Sequence, residues 1–194
     1  ECMLVKDCIL EACRYLGDKK AEEVVLKKEK EEILTSEEES IFRTYLGAFN
    51  VAVSTIVVEE LGLTNVEKVV SDSECKIDYK NFSERVHEVL KVVDKNLDMV
   101  ASFYSLPFSL YVPRGNREYL VRYKYLPKKV EGLADDVLIS PLVVPEVLAK
   151  LMVSDILLSK GSYEEANIWR NDYRRSLGAV MAKRKITLKY RPLV

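Results

Sequence analysis

His87 is the only histidine among 194 residues, so a nucleophile–base pair has one candidate base and a multi-histidine metal site has none. Joining His87 to Cys75 or Cys8 would need a cleft and a third, orienting group. A histidine in a strand-like, half-polar run reads instead as a surface residue. Asp135 and Asp136 stand in a loop before Pro141, where carboxylates form turns and caps. Acid–base work needs two such groups opposed across a pocket. Glu37, Glu38 and Glu39 open an apolar periodic run, where negative charge suits the positive end of a helix dipole. No P-loop or dinucleotide-type glycine pattern occurs, and the seven glycines fall mostly at helix ends and turns. The expectation is a protein that is not an enzyme, with no catalytic, cofactor-binding or metal residues.

Two features point to docking. The segment 174–194 holds Arg174, Arg175, Lys183, Arg184, Lys185, Lys189 and Arg191 and no carboxylate, so it carries +7 and the rest of the chain −8. Such polarity predicts that the C-terminal end meets an acidic partner, protein or nucleic acid, with a solvated helix end as the bland alternative. Tyr119, Tyr123 and Tyr125 alternate with Arg122 and Lys124, and Trp169 and Tyr173 follow later. Single-strand binders also use such rings, but tyrosines on one strand face fit a core or a protein interface better. A basic-tailed nucleic-acid-binding protein is the second reading.

The positioning elements follow from periodicity. The four cysteines form no C-x-x-C pair, and Cys2, Cys8 and Cys13 crowd one predicted helix, so reduced thiols are expected. No signal-peptide layout and no uninterrupted apolar run of about 18 residues is present, which predicts neither secretion nor a membrane partner. Apolar positions from Leu4 to Leu16 recur at helical spacing, with Gly17 placed as a left-handed cap. The Lys/Glu-rich stretch 18–34 reads as a short solvated helix or a connector. Ser36 and Glu39 have capping-box spacing ahead of a long helix Glu37–Leu61, closed by Gly62.

Alternation then predicts strands at 66–70, 75–79, 85–93, 97–103, 108–112 and 119–125. One hairpin turns at Asp94–Asn96 and a second at Pro113–Asn116. Helical spacing returns at Pro145 and runs to Gly161. Ser162 and Glu165 open a last helix through Ala166, Trp169, Tyr173, Leu177 and Met181. From Lys185, the residues Ile186, Leu188 and Tyr190 alternate with polar ones, as a lone strand would, and such a strand must pair somewhere. The fold class is α+β, mainly α. A helical bundle from both chain ends (1–62 and 144–184) carries an inserted antiparallel β subdomain (63–143), all in one domain 1–184, and an extended C-terminal arm follows (185–194).

In that order of elements, the strand phrase Cys75-Lys76-Ile77-Asp78-Tyr79-Lys80-Asn81-Phe82 precedes a hairpin, Tyr123-Lys124-Tyr125-Leu126-Pro127 and the Asp135-Asp136 loop. Ile139-Ser140-Pro141 and a helix follow, then Gly161-Ser162-Tyr163-Glu164-Glu165-Ala166 leading to Trp169 and Tyr173. The whole layout resembles the head-to-tail connector, or adaptor, proteins of tailed bacteriophages. The resemblance implies a structural virion protein at the head–tail junction, assembled in the host cytoplasm. Its partners would be sister copies in a ring, taken as dodecameric, the portal protein, and the next tail, stopper or nozzle protein. Genomic DNA would pass through the channel without sequence-specific binding. By the same analogy the arm, Arg184, Lys185, Ile186, Leu188, Lys189, Tyr190 and Arg191, would reach the portal or a neighbouring subunit.

Overall fold

A computed structural model describes residues 3–137 and 143–189. It divides into two compact units, one of Glu1–Thr55 with Lys129–Val194 and one of Ile56–Lys128. The mixture is α+β, as periodicity predicts, and residues 129–137, read from sequence as part of the β insertion, belong with the helices.

In the helical unit a short strand β1 (Met3–Leu4) leads into α1 (Val5–Leu16), α2 (Lys19–Glu29) follows, and α3 begins at Ser36 and runs to Ile56. Val5, Cys8, Ile9, Ala12 and Cys13 form the buried stripe of α1. Gly17 closes it at φ +64, with Asp18 N–H donating to the Cys13 carbonyl (2.9 Å) and Gly17 N–H to that of Arg14 (3.1 Å), a Schellman ending.

The Lys/Glu-rich stretch is therefore a helix with structural work. Asp18 caps α2 by accepting from Ala21 N–H, and its second carboxylate oxygen accepts from the Tyr45 hydroxyl (2.9 Å). Its lysines meet the glutamates that open α3: Lys20 with Glu37 (2.5 Å), Lys27 with Glu38 (2.6 Å) and Lys28 with Glu39 (3.4 Å). The capping box lies one residue earlier than the Ser36/Glu39 spacing suggests. Thr35 Oγ1 accepts from Glu38 N–H (3.3 Å) and Glu38 Oε2 accepts from Thr35 N–H (2.8 Å). The Lys27 bond, with those from Thr35, holds the Glu38 carboxyl at about 2.

α2 also ends in a Schellman pair, Glu31 N–H to Lys28 O and Glu32 N–H to Lys27 O, but the left-handed position is Glu31, at φ +57. A Cβ disfavours that conformation and glycine does not. Glu31→Gly is expected to stabilise the helical unit by about 0.5–1 kcal/mol after the entropy gained by the unfolded chain is subtracted. A thermal melt followed by the fluorescence of Trp169, the only tryptophan, checks this; a lowered midpoint would contradict it.

The α3 helix buries Phe42, Tyr45, Leu46, Phe49, Ala52, Val53 and Ile56, and continues through a π turn, Val57–Leu61, to Gly62 at φ +56. By length and composition Ser36–Leu61 could cross a membrane. Its buried aromatic stripe is equally what the core helix of a water-soluble bundle requires.

The β unit holds β2 (Thr64–Val70), β3 (Lys76–Asp78), β4 (Arg85–Asp94), β5 (Met99–Val100), β6 (Tyr104–Ser105), β7 (Ser109–Tyr111) and β8 (Glu118–Leu126). They form two antiparallel sheets, ordered β2-β8-β4-β5 and β3-β7-β6. Val69, Val89, Val92, Tyr119, Val121 and Tyr123 from the first meet Ile77 and Leu110 from the second in one core. The β4–β5 hairpin matches the predicted turn at Asp94–Asn96. The second predicted hairpin does not form, because β7 and β8 pair in different sheets. Pro113–Asn116 instead carries the chain between them. The Ser71 hydroxyl donates to the Arg114 carbonyl (3.0 Å), and Arg117 N–H donates to Ser71 Oγ (3.2 Å). A Cβ at Gly115 would fall 2.6 Å from the Asp72 carbonyl, so only glycine fits there.

The larger sheet ends in β2 on one side and in the two-residue β5 on the other. β4, inside it, is bulged at His87 and Leu90 against β8. β2 pairs regularly with β8 along all seven residues, and no strand pairs with its other side among the described residues.

The chain returns to the helical unit through Val130, whose N–H and carbonyl are both bonded by the Asn50 amide (2.8 and 2.9 Å). A strand β9 (Asp136–Val137) pairs with β1, then α4 (Pro145–Ser159) and α5 (Tyr163–Lys189) complete the fold. Helices from both chain ends do meet: α1 lies against α4, and α4 against α5.

Candidate protein-docking site

Pro145 occupies the first turn of α4, and nine residues from Val147 to Leu157 are buried, so this helix is apolar all round and central to its unit. It ends at Gly161, φ +80, with Ser162 N–H donating to the Leu157 carbonyl (2.9 Å). The reversal lays α5 antiparallel on α4. Lys150 Nζ reaches Asp172 (2.7 Å) and Ser176 Oγ (2.8 Å), and Ser154 Oγ donates to the Ala166 carbonyl (2.9 Å). The Trp169 ring lies 5.0 Å from that of Tyr15. Burial pushes the Asp155 carboxyl up against the opposing pull of Arg170.

The two helices differ in length, 27 residues against 15, and at about 1.5 Å per residue the excess is roughly 18 Å. The last buried residue of α5 with a described side chain is Leu177; Val180 and Met181 are half-buried. The remainder of α5 contains Lys183, Arg184, Lys185, Ile186, Leu188 and Lys189. These residues, read from sequence as an extended strand, continue the helix; a local alternation of five residues yields to the helix already propagating into it. Tyr190 and Arg191 lie outside the described residues.

The other chemically suggestive residues fall elsewhere. His87 is exposed at a bulge of β4. Asp135 Oδ2 accepts from the N–H groups of Glu131 (2.7 Å) and Gly132 (2.9 Å), which hold its carboxyl below its usual range, so it closes a turn. Asp136 is paired in β9. Cys8 and Cys13 are buried and free. Among the described residues no group of three or more His, Cys, Asp or Glu is arranged to hold a metal ion.

Tyr119 and Tyr123 are fully buried. The Tyr123 hydroxyl donates to Glu67 (2.6 Å), a carboxylate also bonded by Ser83. Burial alone would raise Glu67, but these bonds outweigh it and hold the carboxyl low. These rings serve the core, so the ladder of exposed bases-stacking tyrosines alternating with Arg122 and Lys124 is not built.

Two exposed apolar features escape the periodicity. Ile33, between α2 and α3, is 98% exposed. In the β unit Met99, Val100, Tyr104 and Phe108 are all more than half exposed, in a stretch Met99–Val112 without a charged residue. That missing charge was the available signal, since a strand pair facing only water normally carries some. No protein-family model and no curated protein matches the chain.

Proposed function

We propose that this chain is a structural subunit of a tailed-bacteriophage head–tail junction, an adaptor that forms a ring below the portal and continues the DNA channel. The observation that supports it best is α5. A helix twelve residues longer than its antiparallel neighbour, an excess of about 18 Å, in a segment with +7 and no carboxylate, suits a partner. Short isolated helices are marginal in water, so a helix end that outruns its neighbour gains stability by docking. Order of elements supports the same reading: a bundle made from both chain ends, with a β unit inserted between them in the sequence. The remaining −8 of the chain suits a conduit that phosphates pass without adhering.

Deleting Arg184–Val194 tests this. The shortened chain is expected to keep its far-ultraviolet spectrum and its Trp169 melting midpoint, because the described core of α5 ends at Leu177, yet to be lost from assembled particles. Normal incorporation would refute the docking role. The same basic end favours the nucleic-acid reading, which makes a different prediction: DNA binding at low salt that falls steeply as salt rises and weakens when Arg184, Lys185 and Lys189 are neutralised.

A further inference from the structure

We propose that the linker between α2 and α3 of one copy receives the projecting end of α5 of the next copy. This rests on the ring reading above and names the two surfaces that make the ring.

The linker is built to present, not to hide, an apolar side chain. Ile33 is 98% exposed, yet both flanks are tied down: the Schellman bonds of Glu31 and Glu32 lie before it and the Thr35–Glu38 capping box after it. Chain fixed at both ends loses little further entropy when a partner closes on it, which favours binding. Glu31 and Glu32 form no ion pair among the described residues, although seven salt bridges involve residues of α1, α2 and the start of α3. Next to them a cleft of about 360 Å³ is lined by Lys6, Lys28, Glu29, Glu31, Leu133 and Ala134. The linker thus offers an apolar knob, two uncommitted carboxylates and an adjacent apolar recess.

The end of α5 has the complementary composition. Val180 and Met181 are half-buried, and the following residues add Lys183, Arg184 and Lys185 without a single acid. Opposite charge on two different patches of one chain favours association of unlike surfaces and disfavours patch-to-like-patch pairing. Such a head-to-tail contact repeats from copy to copy and closes into a ring when the rotation permits. The charge division of the chain, +7 in one segment and −8 in the rest, is what a self-complementary series of this kind needs.

Sedimentation velocity of the full chain at 50 and 500 mM salt tests the contact, with folding of every variant checked by its Trp169 melt. The wild type is expected to associate at the lower salt and less at the higher. Reversing one patch, by Glu31→Lys with Glu32→Lys or by Lys183→Glu with Arg184→Glu and Lys185→Glu, should weaken association at least about tenfold, and joining both sets in one chain should restore it. Ile33→Ser should weaken it at both salt concentrations. As a second readout, Ile33→Cys with Ala182→Cys, in a background of Cys2→Ser with Cys75→Ser, should give an oxidative ladder extending past the dimer.

If the wild type associates but either reversal leaves it unchanged, or the joint variant is not rescued, or cross-linking stops at the dimer, the contact is wrong while the ring stands. A wild type that stays monomeric at low salt and high concentration would remove the ring and the contact together.

Discussion

Leu151→Ala is expected to destabilise the helical unit by about 2–5 kcal/mol, a large part of the roughly 5–15 kcal/mol that holds a domain of ordinary stability. Leu151 is fully buried on α4, which packs against both α1 and α5. Its removal leaves a cavity that three helices would have to collapse to fill, and helices fixed by Lys150–Asp172 and by the Ser154 bond relax little. Urea unfolding followed by Trp169 fluorescence reads this unit specifically, because that ring is stacked near Tyr15 within it. Leu26→Ala is the matched control: Leu26 is exposed on α2, and its loss should cost less than about 1 kcal/mol. Equal effects at the two sites would mean that α4 is not the centre of the bundle.

The second large effect is chemical. Burial, with the nearby Asp7, pushes the Cys8 thiol up to about 12, and burial with Asp18 does the same for Cys13. Only the thiolate alkylates. At pH 8 the thiolate fraction of each folded thiol is about a thousandfold below that of an ordinary cysteine, before any loss of access is counted. Among the three described thiols, iodoacetamide should therefore modify half-exposed Cys75 first, and Cys8 and Cys13 at a rate set by unfolding. Mass spectrometry of timed digests checks the order; early labelling of Cys8 would contradict it.

The same shifts predict an alkaline limit. A folded-state value raised above the unfolded one means that the folded chain holds the proton more tightly. Stability is unaffected below about pH 9, where both states keep their protons, and falls as pH rises from there towards 12, by about 1.4 kcal/mol per pH unit for each thiol. Replacing Cys8 and Cys13 by alanine should flatten that decline, read as the urea midpoint against pH.

Much of the architecture was legible because its signals are local. The stripe from Phe42 to Ile56 fixes α3 to within a residue of its observed start, Gly17, Gly62 and Gly161 stand where left-handed caps are needed, and β8 alternates cleanly between core tyrosines and outward charges. The failures are non-local or degenerate. Thr35 and Ser36 are both good caps, and three successive glutamates satisfy the box for either, so spacing alone selects no winner. Turn residues at Pro113–Asn116 show that the chain bends but not which strands it joins. The Lys/Glu stretch looked merely solvated because its partners, Glu37 to Glu39, become neighbours only once α2 folds back. The end of α5 misled through five alternating residues, too few to outweigh the twenty-three helical ones before them. Ile33 left no periodic trace at all, since a single apolar residue in a charged run is noise until its exposure and its fixed flanks are known.

The regular margin of β2 carries a further consequence for handling the protein. Along its seven residues the alternate backbone groups that do not bond β8 face outward, with neither a proline nor a bulge to interrupt them, whereas β4 is irregular at both His87 and Leu90. In a concentrated stock, cross-strand templating and fibril growth have a starting point along Thr64–Val70. A single proline at Val66 would be the natural way to keep such preparations clear.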